Sequence, residues 1–229
     1  MEKINSFLVL GLVFIALFGL IFFFVASGLT SAWDTAVFKF MNETLNVSSL
    51  NWFFLGLSYF GREFFWIPVV ILLWVFGKKN GRKAALLMVI VFIAIIIIGE
   101  SLKMGYYRVR PYAAVHGAIV IGPQDTDSSF PSGHALIVIA GATVALMMLK
   151  KRYSLPLLAE ALLVCYSRIY VGAHYPTDVL AGALLGSGVA IIACYLLLNS
   201  KKFEKIFESI NNFYLNILKS VGLRSKILY

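Results

Sequence analysis

Between Lys103 and Asp178 the chain gathers ionisable residues at the ends of apolar runs. Lys103 and Arg110 follow one run, Ser132-Gly133-His134 opens the next, Arg168 lies near the end of a third, and His174 and Asp178 lead into a fourth. Charge in or beside an apolar span is costly, so each such residue carries a functional expectation by default. Lys103, Arg110 and Arg168 supply positive charge, and the two guanidiniums can grip an oxyanion through a two-pronged fork that an ammonium lacks. Ser132 and Gly133 stand where a helix is expected to begin. Free backbone N–H groups and the positive end of the helix dipole favour an anion there, and glycine permits a close approach. The set reads as a cradle for phosphate.

Two histidines can divide the work on that phosphate. His174 and Asp178 are one helical turn apart, with Pro176 suited to the first helical position, so the carboxylate is expected to reach the imidazole Nδ1–H. Nε2 would then face phosphorus as a nucleophile, with the aspartate stabilising the developing positive charge. His134 can protonate the leaving oxygen and afterwards activate the water that cleaves a phosphohistidine. The scheme requires no metal and no cofactor. His116 reads as a loop residue, and Arg108 is divided between phosphate, a lipid headgroup and neither. Glu100, one turn before Lys103, is expected to pair with it. Asp125 and Asp127 lack the rest of an EF-hand and read as solvated loop. Glu160, well inside an apolar run, is either protonated, paired across the bundle or part of a proton relay. Cys165 and Cys194 read as small buried hydrophobes.

The elements that must hold these groups are set by composition. Of 229 residues, 60% are hydrophobic and 14% charged, and the mean hydropathy is +0.86. Such a chain belongs in a membrane as an all-α bundle, apolar outside as well as in. Phe7 to Leu29 is uncharged and long enough at about 1.5 Å per residue to cross a core of about 30 Å. It exceeds the apolar core of a signal peptide. Further spans are expected at Arg62 to Phe76, which is short and borrows a turn from Trp52 to Phe60, and at Ala84 to Leu102. Ala135 to Leu149 (drawn back to Ser132), Leu155 to Val171 and Thr177 to Leu198 bring the number to about six transmembrane helices. Ser31 to Gly61 mixes aromatic and polar residues and reads as interfacial. Gly182 and Gly186 predict close helix packing. Residues 1–200 thus form one transmembrane domain with its motif core at 103–178. The tail, 201–229, spaces Phe203, Ile206, Phe207, Ile210, Phe213, Ile217, Leu218 and Val221 as an amphipathic surface helix.

The formal charge of +9 has a topological explanation. Lys78, Lys79, Arg82 and Lys83, then Lys150, Lys151 and Arg152, then Lys201, Lys202 and Lys205, together with Lys3, fall on one side of the expected bundle. The positive-inside rule makes that side cytoplasmic, and anionic lipid accounts for the clusters without a nucleic-acid partner. The cradle then faces outward from the cell membrane.

The three segments Lys103-x6-Arg110-Pro111, Pro131-Ser132-Gly133-His134 and Ser167-Arg168-x5-His174-x3-Asp178 resemble the three-part signature of the type 2 phosphatidic acid phosphatase and haloperoxidase superfamily. Order, spacing and residue type agree in all three, over about a third of the chain. The resemblance implies that His174 is the nucleophile, Asp178 its partner and His134 the acid. Lys103, Arg110, Ser132, Gly133 and Arg168 become the phosphate ligands. It also implies a metal-independent lipid phosphatase, similar to bacterial and archaeal membrane members, acting on phosphatidate, phosphatidylglycerol phosphate or a polyprenyl diphosphate. Phosphotransfer to a second lipid is an alternative outcome of the same intermediate. Vanadate-dependent halide oxidation sits poorly with lipid-embedded spans. A non-enzymatic transporter would spread ionisable residues through the depth of the bundle, whereas these gather at one end, Glu160 excepted.

Overall fold

Apolar side chains dominate every long segment, and a backbone without water must close its hydrogen bonds within helices. The computed structural model describes residues 2–220, and among these no strand occurs. The helices are α1 (Glu2–Ala26), α2 (Ser31–Lys39), α3 (Asn51–Phe60), α4 (Glu63–Phe76), α5 (Lys79–Gly105), the single turn α6 (Pro111–Ala114), α7 (Gly133–Met148), α8 (Lys151–Tyr170), α9 (Pro176–Leu198) and α10 (Lys201–Ser220). A π-helical turn, Phe40–Thr44, continues α2.

The centre is α7, whose residues from Ala135 to Ala145 are almost all buried among α5, α8 and α9, while α1 packs on α9. Glycines make this closeness available. A Cβ on Gly182 would stand 2.7 Å from the Ser132 carbonyl oxygen, and one on Gly186 2.5 Å from that of Leu136. Both glycines of the expected packing pair therefore press α9 onto the backbone of α7. Gly141 does the same for the Trp66 ring, which a Cβ would meet at 2.4 Å.

Three helices are long and apolar enough to cross a bilayer: α1 from Ser6, α5 and α9. The pair α3–α4, bent by 57° at residues 61–62, makes a fourth when counted as one broken span. Counted so, the pair corresponds to the short second span expected to borrow from Trp52 to Phe60. α7 is apolar but has 16 residues, a length of about 24 Å. α8 has 20 residues but begins on Lys151 and Arg152 and carries Glu160 and Arg168. Length and apolarity thus mark three or four of the six expected spans. The other two expected spans fall on α7, sheathed by its neighbours, and α8, which carries Glu160 mid-helix besides the charges at its ends.

The helix ends sort by charge. At one end lie Lys78 to Lys83, Lys150 to Arg152 and the start of α10, which is tied to α5 by Lys83–Glu204 at 2.6 Å and by Arg82 Nε donating to Asn211 at 2.6 Å. α10 buries Phe203 and Phe207 and leaves Ile206, Ile210, Phe213 and Ile217 exposed. Val221 and the rest of the tail, and the side chain of Lys3, lie outside the described residues. At the other end, loop 106–131 and the turn 171–175 meet the supposedly interfacial segment. Asn42 donates to the carbonyls of Ile119 (2.9 Å) and Tyr170 (2.7 Å) and accepts from Ile119 N–H at 2.8 Å. The segment after α1 therefore ties to the loop and to α8 through a few buried residues, such as Asn42, while most of its large apolar side chains stay exposed.

Candidate active site

The C-terminal ends of α5 and α8 and the start of α7 close with loop 106–131 and turn 171–175 on a cavity of about 430 Å³. Its walls include Lys103, Arg110, Gly133, His134, Arg168 and His174, so six of the eight residues expected at the site face one space. Asp178 and Ser132 are fully buried just behind it.

His174 follows a turn that only glycine accommodates well. Gly172 has φ +87°, and a Cβ there would stand 2.7 Å from the Ile119 carbonyl oxygen. The imidazole is buried, with Nδ1 2.8 Å from the carbonyl oxygen of Ser129 and Nε2 3.3 Å from Arg110 Nη1. A carbonyl only accepts, so Nδ1 carries the proton, and the lone pair on Nε2 accepts from Arg110 and faces the cavity. Burial first, and then the charges of Arg110, Arg168 and Lys103, hold the His174 imidazole well below the usual histidine range. The ring is a neutral base.

The expected direct contact from Asp178 to Nδ1 is absent. Nδ1 and Asp178 Oδ2 are 3.8 Å apart, and Ser129 contacts both groups. Its backbone oxygen takes the imidazole proton, while its hydroxyl donates to Asp178 Oδ2 at 2.5 Å and lies 3.4 Å from Nδ1. Asp178 also accepts the Tyr175 N–H at 2.8 Å, which caps the start of α9. Arg108 completes its shell. The guanidinium bonds Asp178, Asp34 at 2.7 Å and Thr177 at 2.9 Å, and lies over the Tyr175 ring at 4.3 Å. Asp34 is fully buried and also accepts from the Thr177 N–H and hydroxyl. Arg108 is not among the residues lining this cavity; it balances two buried carboxylates.

The cationic residues meet carboxylates that the sequence assigned to solvent. Lys103 pairs with Asp127 instead of Glu100, since the loop returns across the end of α5. Arg110 donates to Asp127 Oδ1 at 2.6 Å, to the Asp127 carbonyl at 3.1 Å and to the Ala173 carbonyl at 3.0 Å. Asp125 lies 3.2 Å from Arg168 and 3.5 Å from Arg110. Partial burial opposes ionisation of Asp127, but hydrogen bonds and charge from Lys103 and Arg110 hold its carboxyl at about 2. Arg168 also donates to the Ser58 hydroxyl, on α3.

Ser132 serves the helix and not the cavity wall. Its hydroxyl accepts from Ala135 N–H at 3.5 Å as the α7 cap, and its own N–H donates to the Asp178 carbonyl at 3.0 Å. Gly133 takes the exposed place at the helix start, where a Cβ would lie 3.5 Å from Arg62 Nη1 and 4.0 Å from Lys103 Nζ. His134, in the first turn, borders both this cavity and a cleft of about 240 Å³ walled by Leu55, Tyr59, Phe64, Val120 and Ile121. Glu160 lies elsewhere, beside the bend at Gly61, with the Trp66 indole as its neighbour.

The sequence model of the PAP2 superfamily, the family of these phosphatases, matches residues 83–202, from α5 to the start of α10. The chain belongs to the PAP2 superfamily. An undecaprenyl-diphosphatase from Sulfolobus acidocaldarius is 39% identical over 178 residues, 77% of this chain and 85% of the relative. Among solved PAP2-like structures, Aquifex aeolicus LpxE superposes with a TM-score of 0.62 at 29% identity, covering 69% of this chain and 92% of its own. A transmembrane PAP2 type phosphatidylglycerolphosphate phosphatase from Bacillus subtilis also gives 0.62, at 25% identity, over 89% of this chain and 100% of its own. In this PAP2 chain the residues that sequence reading passed over are Ser129, Asp34 and Arg62. Ser129 lies beside the motif Pro131-Ser132-Gly133-His134, a signal that was available; the other two come from outside the matched region.

Proposed function

We propose that this PAP2 membrane protein is a lipid phosphatase that removes a terminal phosphate from a phosphomonoester or diphosphate lipid through a phosphohistidine on His174. One observation carries the reading: Nε2 of a neutral, buried imidazole opens onto a cavity shared with Lys103, Arg110, Arg168 and His134. An arriving phosphate takes the Arg110 donor onto its own oxygens and frees the Nε2 lone pair. The Nε2–P bond forms, the bond from phosphorus to the leaving oxygen breaks, and His134 gives that oxygen a proton. Positive charge grows on His174 during attack, and Asp178 stabilises it through the Ser129 hydroxyl. His134 then accepts a proton from water, whose oxygen attacks phosphorus, and the N–P pair returns to Nε2 as phosphate departs. The Gly133 N–H and the three cations hold the non-bridging oxygens throughout. No metal enters the scheme.

The lipid tail leaves the cavity through apolar clefts between helices. The names of the relatives support polyprenyl diphosphate and phosphatidylglycerol phosphate as candidates, with phosphatidate beside them. The basic clusters at the far end support a cytoplasmic position for that end and an extracytoplasmic site in the cell membrane. Release of inorganic phosphate from these lipids in detergent is the test. His174→Ala is expected to lower turnover about a thousandfold or more, as removal of a nucleophile does; full activity in that variant would refute the role.

A further inference from the structure

Arg62 borders the reaction cavity and both apolar clefts beside it. It sits at the 57° break between α3 and α4. Its Nη1 and the Lys103 ammonium both lie beside Gly133, where a Cβ would stand 3.5 Å from the first and 4.0 Å from the second. One cleft offers Leu55, Tyr59 and Phe64; the other offers Ile95, Ile96 and Leu136. The pairing of Arg62 differs from that of the other cavity cations. Lys103, Arg110 and Arg168 each meet a carboxylate of loop 106–131, whereas Arg62 meets only Glu63, its half-exposed neighbour, at 2.5 Å. Its Nε, like that of Arg168, is buried with no hydrogen-bond partner among the described residues, but Arg168 already has a loop carboxylate and Arg62 has none. A buried donor without an acceptor is costly, so this position calls for an acceptor that the chain itself does not supply.

We infer that Arg62 binds a second phosphate group, the one that leaves, so that the site selects lipid diphosphates over lipid monophosphates. The inference rests on the proposed attack by His174 on a phosphorus held by Lys103, Arg110 and Arg168. From that phosphorus the leaving oxygen points toward His134, and the next atom along the path to either cleft lies beside Arg62. In a monoester that atom is carbon, which offers the guanidinium nothing. In a diphosphate it is phosphorus with two oxygens that share a negative charge and match the fork of an arginine. The Nε2–P bond forms at the terminal phosphorus, the bond to the bridging oxygen breaks with its electron pair staying on that oxygen, and His134 gives that oxygen a proton as the lipid monophosphate departs. Arg62 holds the two non-bridging oxygens of that departing group. Water then releases the terminal phosphate.

The test compares a polyprenyl diphosphate with the monophosphate of the same chain length, as kcat/KM on the full-length protein. Arg62→Gln is expected to lower the diphosphate-to-monophosphate ratio about tenfold or more, the weight of a charged hydrogen bond. Arg62→Lys is expected to recover part of it, since a point charge lacks the fork. Inhibition by inorganic pyrophosphate and by inorganic phosphate gives a second reading that is independent of the lipid tail. Pyrophosphate is expected to inhibit the wild type more strongly, and either variant to narrow the gap. If Arg62→Gln does not fold, Arg62→Lys carries both comparisons alone. An unmoved ratio, or equal losses on both lipids with no change in the inhibitor gap, overturns the inference while leaving the phosphatase reading intact. A folded wild type that releases phosphate from neither lipid overturns both.

Discussion

The chemistry of His174 depends on which atom holds its other nitrogen. The Ser129 carbonyl fixes the proton on Nδ1, and in the proposed scheme Asp178 acts through the Ser129 hydroxyl that it accepts from. The two groups can therefore be separated experimentally. Ser129→Ala keeps the carbonyl and removes the link, so kcat is expected to fall about tenfold, with a larger loss for Asp178→Asn, which also unbalances Arg108 and the α9 cap. Equal kcat for Ser129→Ala and wild type would mean that Asp178 works without the serine. The three motif segments are legible from the sequence because each is short, and the structure gathers six of their residues on one cavity. The Ser129 contact is less so, since Ser129 stands 45 residues from His174 and nothing in the spacing of His174 and Asp178 reveals it. Asp125 and Asp127 are exposed, as a loop reading expects, but they also pair with the cations, which composition does not reveal.

At the scale of elements, the site is held by how closely α9 lies on α7. Gly186→Ala would bring a methyl to 2.5 Å of the Leu136 carbonyl oxygen, a backbone atom that cannot turn aside. The expected cost is about 1–3 kcal/mol, typical of overpacking, read as a lower melting temperature in detergent. Activity should fall as well, because His134 on α7 and Asp178 on α9 move apart; an unchanged melt and unchanged turnover would contradict this view of the pair. Helix positions were read well where apolar runs are long, as in α9, expected from Thr177 and found from Pro176. α5 begins at Lys79 and not at Ala84, because α10 supplies Glu204 and Glu208 to its basic first turns. The segment carrying Asp34 and Asn42 resembles a membrane border in composition. Its burial depends on partners in loop 106–131 and α8 that no local pattern announces.

For the whole molecule, charge separates the two ends of the bundle: basic clusters and α10 at one, the cavity at the other. Orientation is open to direct measurement. Gln124 lines the cavity and is exposed, while the free cysteines, Cys165 and Cys194, are buried. In intact cells a membrane-impermeant maleimide is expected to label Gln124→Cys and spare the wild type. Labelling only after the cells are opened would reverse the orientation. The central chemical claim, however, is a covalent bond from Nε2 of His174 to phosphorus. It is tested most directly by denaturing the protein during turnover of a lipid carrying radiolabelled terminal phosphate, and mapping the label. The result expected is an acid-labile, base-stable phosphoenzyme on the peptide containing His174, more abundant in His134→Ala, where water attack is slowed, and absent in His174→Ala. Label on any other residue would contradict the account.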